Sequence, residues 1–125
     1  MHRTIEATGP ARPEQVWDRY VRPAMWPSWS PQIRTVDYPH PELVAGTAGV
    51  VRGPCALAVP FRIVELGDDH WSWRVHPPVV GELTLRHAVT ASGDGTRTTL
   101  DVDGPAVLVL GYLPLAGLAL RRLVE

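Results

Sequence analysis

The chain of 125 residues has a single cysteine, Cys55, and no lysine, so all twelve of its basic side chains are arginine. One cysteine closes no internal disulfide and builds neither a zinc ribbon nor a Cys-x-x-Cys redox pair, which fits a reducing, cytoplasmic setting. Without lysine, a Schiff-base enzyme and a P-loop nucleotide site are both excluded. Twelve basic side chains against thirteen acidic ones leave a formal net charge of −1. No run of like charge supplies a footprint for phosphate backbones, so nucleic acid is not expected as a partner. The segment Met1 to Glu6 lacks the apolar stretch of a secretory signal, and export is not expected.

Chemical motifs are equally scarce. His2, His40, His70, His76 and His87 show no HxH or HExxH spacing and no nearby cysteine, so no metal site is expected. There is no GxSxG elbow, GxGxxG turn or P-loop, and Cys55 has no histidine beside it in sequence. Covalent catalysis therefore has no motif, and no cofactor is expected.

What remains is a good supply of apolar side chains. They make up 45% of the chain against 20% charged residues, enough for one hydrophobic core at this length and too few for two. One domain over residues 1–125 follows. Arg3 to Thr8 alternates as a short strand, with Ile5 and Ala7 on one face. Pro13 suits a first helical turn, Glu14 suits the positive end of the helix dipole, and Val16, Trp17, Tyr20 and Val21 recur at helical spacing. The spacing predicts a helix from about Pro13 to Arg22. Pro23 and Pro27 stop its continuation and leave Ala24 to Trp29 as an aromatic turn.

From Gln32 the chain reads as about six consecutive strands, broken at Pro39 to Pro41, Gly53-Pro54, Gly67 to Asp69, Pro77-Pro78 and Ser92 to Gly95. Trp71, Trp73 and Val75 alternate with polar residues. So do Leu83, Leu85, His87 and Val89, and then Thr98, Leu100 and Val102, which makes one face of an antiparallel sheet dry. The last element, from about Pro105 to Val124, has leucines around most of its circumference and reads as a helix that the sheet must cover. Pro114 is expected to kink or split it. Gly104 to Leu120 carries no charge and precedes Arg121 and Arg122, as a weak tail anchor would. It is short for a bilayer and interrupted by Gly111, Pro114 and Gly117, so a buried helix is the better reading and a membrane is not expected as a partner. The fold class is α+β: strand, helix, a run of strands, then a long terminal helix.

That order, with several short words, resembles the START-related helix-grip (SRPBCC) superfamily and, within it, the polyketide cyclase/dehydratase-like proteins. The words are Pro13-Glu14-Gln15-Val16-Trp17, Trp26-Pro27-Ser28-Trp29, Trp71-Ser72-Trp73, Leu85-Arg86-His87, Gly93-Asp94-Gly95-Thr96 and Gly104-Pro105. The chain departs from the common pattern at Arg12, where a small capping residue is usual, and at Pro114. The resemblance implies a curved antiparallel sheet of about seven strands wrapped around the C-terminal helix. It also implies a cavity between them for a small hydrophobic, polyketide-like or aromatic ligand. Members include aromatase/cyclases and lipid carriers, so the fold leaves the function open.

His87 is the most informative residue, because alternation puts its imidazole on the covered face. It serves there as a general acid/base or ligand anchor, or else as a core histidine bonded internally. Tyr20, Trp26, Trp29, Trp73 and Tyr112 offer flat walls with polar tips for a ring-bearing ligand. Trp17 and Trp71 are read as core filling. Arg62 interrupts an apolar strand and is a candidate for pairing with a ligand oxygen, although an arginine there more often lies on the solvent face, as Arg34 and Arg52 also do. Glu65 shares the apolar parity of Ile63, which makes it a candidate partner for His87 or an arginine. The resemblance and His87 together put a cofactor-independent cyclase or dehydratase using general acid/base chemistry first, with a non-catalytic carrier or sensor of an apolar metabolite as the alternative and an interaction module using the terminal helix as a third reading. The oligomeric state is left open.

Overall fold

A computed structural model describes residues 1–78 and 81–125. The elements in order are β1 (His2–Gly9), α1 (Pro13–Val21), a 3-10 turn (Pro23–Met25), α2 (Trp26–Trp29), β2 (Thr35–Asp37), β3 (Ala48–Arg52), a 3-10 turn (Pro54–Ala56), β4 (Ala58–Leu66), β5 (His70–Val75), β6 (Leu83–Ser92), β7 (Gly95–Asp103) and α3 (Ala106–Leu123). The strands form one seven-stranded sheet in the order β1-β7-β6-β5-β4-β3-β2, with every neighbour antiparallel. This is the expected helix-grip arrangement, a curved sheet around a long C-terminal helix.

Strand alternation settles which side chains face inward. Phe61 and Ile63 of β4, Trp71, Trp73 and Val75 of β5, Leu83, Leu85 and His87 of β6, and Thr98, Leu100 and Val102 of β7 are all buried. α3 turns Val109, Ala116, Ala119, Leu120 and Leu123 toward them. It is long and apolar enough to cross a membrane by length and composition, but here it is the core helix, with Val107, Leu110, Leu115 and Leu118 left exposed on its outer side.

Three expectations are corrected. The aromatic turn expected over Ala24 to Trp29 is helical in its second part: Trp26 to Trp29 make one helical turn with Pro27 in its first positions, where no backbone donor is needed. Pro114 does not split α3, which runs unbroken from Ala106 to Leu123. Its missing N–H leaves the carbonyl of Leu110 without a donor, and Leu110 is 52% exposed, so that carbonyl is on the wet side of the helix. Glu65 does not share the inward face of Ile63. A bulge between Ile63 and Glu65 shifts the pairing so that Ile63 faces Trp73 while Glu65 faces Ser72. One extra residue turns every later side chain to the opposite face, and Glu65 meets His70 and Arg86 outside.

Neither end of the helix pair has an ordinary cap. Arg12 lacks a short capping side chain, and the Gln15 side-chain oxygen accepts from the Arg12 backbone N–H at 3.0 Å instead. At the far end of α3, Arg19 donates to the carbonyls of Leu123 and Glu125 at 2.5 and 2.9 Å, and Ala11 N–H donates to Val124 at 3.0 Å. These bonds satisfy carbonyls that a helix terminus leaves free. They also clamp α3 to α1 and to the segment after β1.

Gly9 is required by this clamp, since a Cβ there would run into the carbonyl and side chain of Val124. Gly9→Ala is expected to destabilise the protein by about 1–3 kcal/mol through overpacking. Urea denaturation measures this, and an unchanged midpoint would show that the clamp is slack.

Candidate functional site

The clamp holds α3 over the sheet at a point where the helix carries alanine and the sheet carries indoles. Ala116 and Ala119 face Trp71, Trp73, Leu85 and Leu100, and α2 closes the side with Trp26 and Trp29. The hollow left among them has a volume of about 170 Å³. Interiors are otherwise packed like organic crystals, so a void of this size is a feature of the fold rather than ordinary slack.

Five of the residues expected at a site are brought to this cavity: His87, Trp26, Trp29, Trp73 and Tyr112. Tyr20 is buried just behind His87. Arg62 is not brought there. It lies on the outer face, directly across from Arg74, with its guanidinium on the Gly46 carbonyl, because it has the opposite parity to the inward Phe61 and Ile63. Arg34 and Arg52 are exposed as well, and Arg52 pairs with Asp37 at 2.7 Å. Trp71, read from sequence as core filling, is part of the wall. Its shared parity with Trp73 carried that signal. Ser30, Gln32 and Ile33 also line the cavity from the turn after α2, where no periodicity announces them.

The tryptophans are held by packing and by their own N–H groups. Trp26 lies 5.1 to 5.7 Å from the rings of Trp73, Phe61 and Trp71, and donates to the Tyr20 carbonyl at 2.8 Å. Trp29 donates to the Arg19 carbonyl at 3.1 Å. Fixed rings form a preformed wall, which lowers the ordering cost of binding.

His87 stacks on Trp71 with ring centres 4.5 Å apart and 9° between planes. Its two nitrogens are both used. An indole N–H only donates, so Trp73 Nε1, at 3.2 Å, requires Nε2 of His87 to be an unprotonated acceptor. The proton of the neutral ring then sits on Nδ1 and goes to the Tyr20 hydroxyl at 3.2 Å. Tyr20 donates in turn to Thr98 Oγ1 at 2.5 Å, and Thr98 to the Ala88 carbonyl at 3.0 Å. The chain runs in one direction with each donor and acceptor matched, as a buried network must be.

Burial pushes the His87 pKa down to about 3, because a charged imidazole would lose its hydration with no carboxylate nearby to replace it. Burial raises the Tyr112 hydroxyl to about 12 and moves the Tyr20 hydroxyl up as well. All three are neutral at physiological pH. Among the described residues, no Asp, Glu or Arg lines the cavity.

The His87 shift has a signed consequence. Above pH 6.5 neither the folded nor the unfolded chain protonates this ring; below it the unfolded chain gains a proton that the folded chain refuses until about pH 3. Stability from this residue is therefore present above pH 6.5 and lost at up to ~1.4 kcal/mol per pH unit on acidification between those limits. His87→Gln is expected to flatten the pH dependence of the urea unfolding free energy by about one proton over that window. Equal slopes in the two proteins would place the native imidazole in contact with water.

Comparison with known proteins agrees with the architecture. No protein of curated function matches the sequence. Among solved structures, a protein from Mesorhizobium loti, MLL2253, superposes with a TM-score of 0.84 at 11% identity, over 98% of this chain and 93% of that one. Ara h 8.0201 gives 0.78 at 12% identity, over 98% and 94%. DynU16, of the dynemicin biosynthetic locus, gives 0.76 at 15% identity; it is covered over 49% of its length, so this chain spans about half of it. At such identities these likenesses establish the fold. The sequence itself matches the model of one family over residues 2–125, and the chain belongs to that family, polyketide cyclase/dehydrase and lipid transport.

Proposed function

We propose that the chain binds one small hydrophobic molecule of one or two rings beneath α3, as a carrier or sensor of an apolar metabolite. The observation that carries this reading is the cavity of about 170 Å³ itself, walled by four indoles, aliphatic side chains and alanine, with no charged group among the described residues. Apolar cavities of about 150 Å³ hold benzene, whereas drug-sized ligands use roughly 300 Å³ or more. A compact aromatic fits this space. Family membership supports the same class of ligand.

Cyclase- or dehydratase-type catalysis is the second reading, favoured by the imidazole in the cavity wall. It has to overcome two features of that imidazole. Trp73 occupies the lone pair of Nε2, and a base working near neutrality needs a pKa near the operating pH, while burial holds His87 at about 3. The geometry supports His87 as a positioning residue that fixes Trp73 and Tyr20. The catalytic reading instead requires His87→Gln to abolish turnover while ligand still binds.

Ala119→Leu tests the binding reading, since it adds three carbons to the helix face over the hollow. Toluene is expected to perturb the tryptophan indole N–H resonances of the native protein and not those of the variant. The variant is expected to keep its melting temperature or gain up to ~1 kcal/mol by filling the void. A folded variant that takes up toluene as well as the native protein would move the binding site elsewhere.

A further inference from the structure

Among the described residues, two polar atoms in residues of the cavity wall are buried without any hydrogen-bond partner, Trp71 Nε1 and Gln32 Oε1. They are exceptions in that wall. Trp26, Trp29 and Trp73 all spend their N–H groups on protein acceptors, and His87 uses both nitrogens. Buried donors and acceptors are nearly always paired, because leaving one unpaired forfeits its hydration with nothing in return. The two orphans are complementary: an indole N–H can only donate, and an amide oxygen can only accept. They come from different elements, β5 and the turn after α2. Beside Gln32 on that turn, Ser30 is a buried residue of the same wall.

From this pattern we infer that the ligand is an uncharged hydroxylated aromatic, its oxygen accepting from Trp71 Nε1–H and its hydroxyl proton donated to the Gln32 amide oxygen. One hydroxyl can serve both atoms, or two can serve one each. The inference rests on the cavity being the binding site and adds the ligand's polarity to its size. Charge is excluded by the same wall. With no Arg, Asp or Glu lining it among the described residues, a carboxylate or ammonium would be buried without a counter-ion. A hydrocarbon of the same shape would fit but leave both orphans unpaired. Specificity in such sites comes from the unpaired group left behind by the wrong ligand, not from shape alone.

Three probes of nearly equal shape separate these outcomes: p-cresol, toluene and p-toluate, titrated at pH 7 while the indole N–H resonances are followed by NMR. Trp71→Phe identifies the Trp71 signal by its loss. The expected result is that p-cresol binds about tenfold more tightly than toluene, the worth of one net hydrogen bond. It should shift the Trp71 indole proton downfield more than those of Trp26, Trp29 and Trp73, and p-toluate should not bind. Gln32→Leu is expected to abolish the advantage of p-cresol over toluene, and the empty variant should melt no lower than the native protein. Toluene binding as tightly as p-cresol, or p-toluate matching it, would overturn the inference and leave the cavity reading intact. Failure of both neutral rings to bind would overturn the two together.

Discussion

Three hydrogen bonds at the carboxyl end of α3, two from Arg19 and one from the Ala11 N–H, determine how deep the helix sits in the sheet. Gly9 lets the chain approach Val124 closely enough for them to form. Because that end is fixed by backbone and guanidinium geometry, the helix cannot settle further onto β5 and β6 to fill the space beneath Ala116 and Ala119. The indoles opposite are likewise fixed, by rigid rings and by N–H bonds to Tyr20, Arg19 and His87. A cavity persists when neither wall can relax into it. Both conditions are met here.

Within that wall, His87 is best understood through its neighbours. Stacked on Trp71, accepting from Trp73 and donating to Tyr20, it locks three aromatic side chains into one arrangement. The desolvation that lowers its pKa makes it a neutral fixture at physiological pH. The polar chain therefore contributes definition to the cavity, and an uncharged interior suits neutral ligands.

Much of the fold was legible because it depends on period. Leu83, Leu85, His87 and Val89 alternate without interruption in β6, and Trp71, Trp73 and Val75 do so in β5, so the inward face could be read directly. Where the period breaks, the reading failed. Glu65 has inward parity until the bulge after Ile63 reverses it, and a bulge leaves no mark in a strand of Val, Glu and Leu. Pro114 argued for a divided helix, but its consequence depends on whether the freed carbonyl is wet, which is a tertiary fact. The site divides the same way. The aromatic rings and His87 could be named as candidates from their types and faces, whereas Arg62 was suggested by its place within an apolar strand and is turned outward by its parity opposite to Phe61 and Ile63. Gln32 and Ser30 lie on a turn without periodicity, and the absence of side chains beyond Cβ at Ala116 and Ala119 matters only once the helix is docked.

Ligand binding depends on the apolar hollow between α3 and the inner face of β5 and β6, and xenon reports on such a space without depending on ligand chemistry, since it enters empty apolar cavities of this size. In crystals pressurised with xenon, anomalous scattering is expected to place the gas among Trp71, Leu85 and Ala119, at the centre of the cavity of about 170 Å³. Crystals that take up no xenon there, with side chains closed across the space, would contradict it.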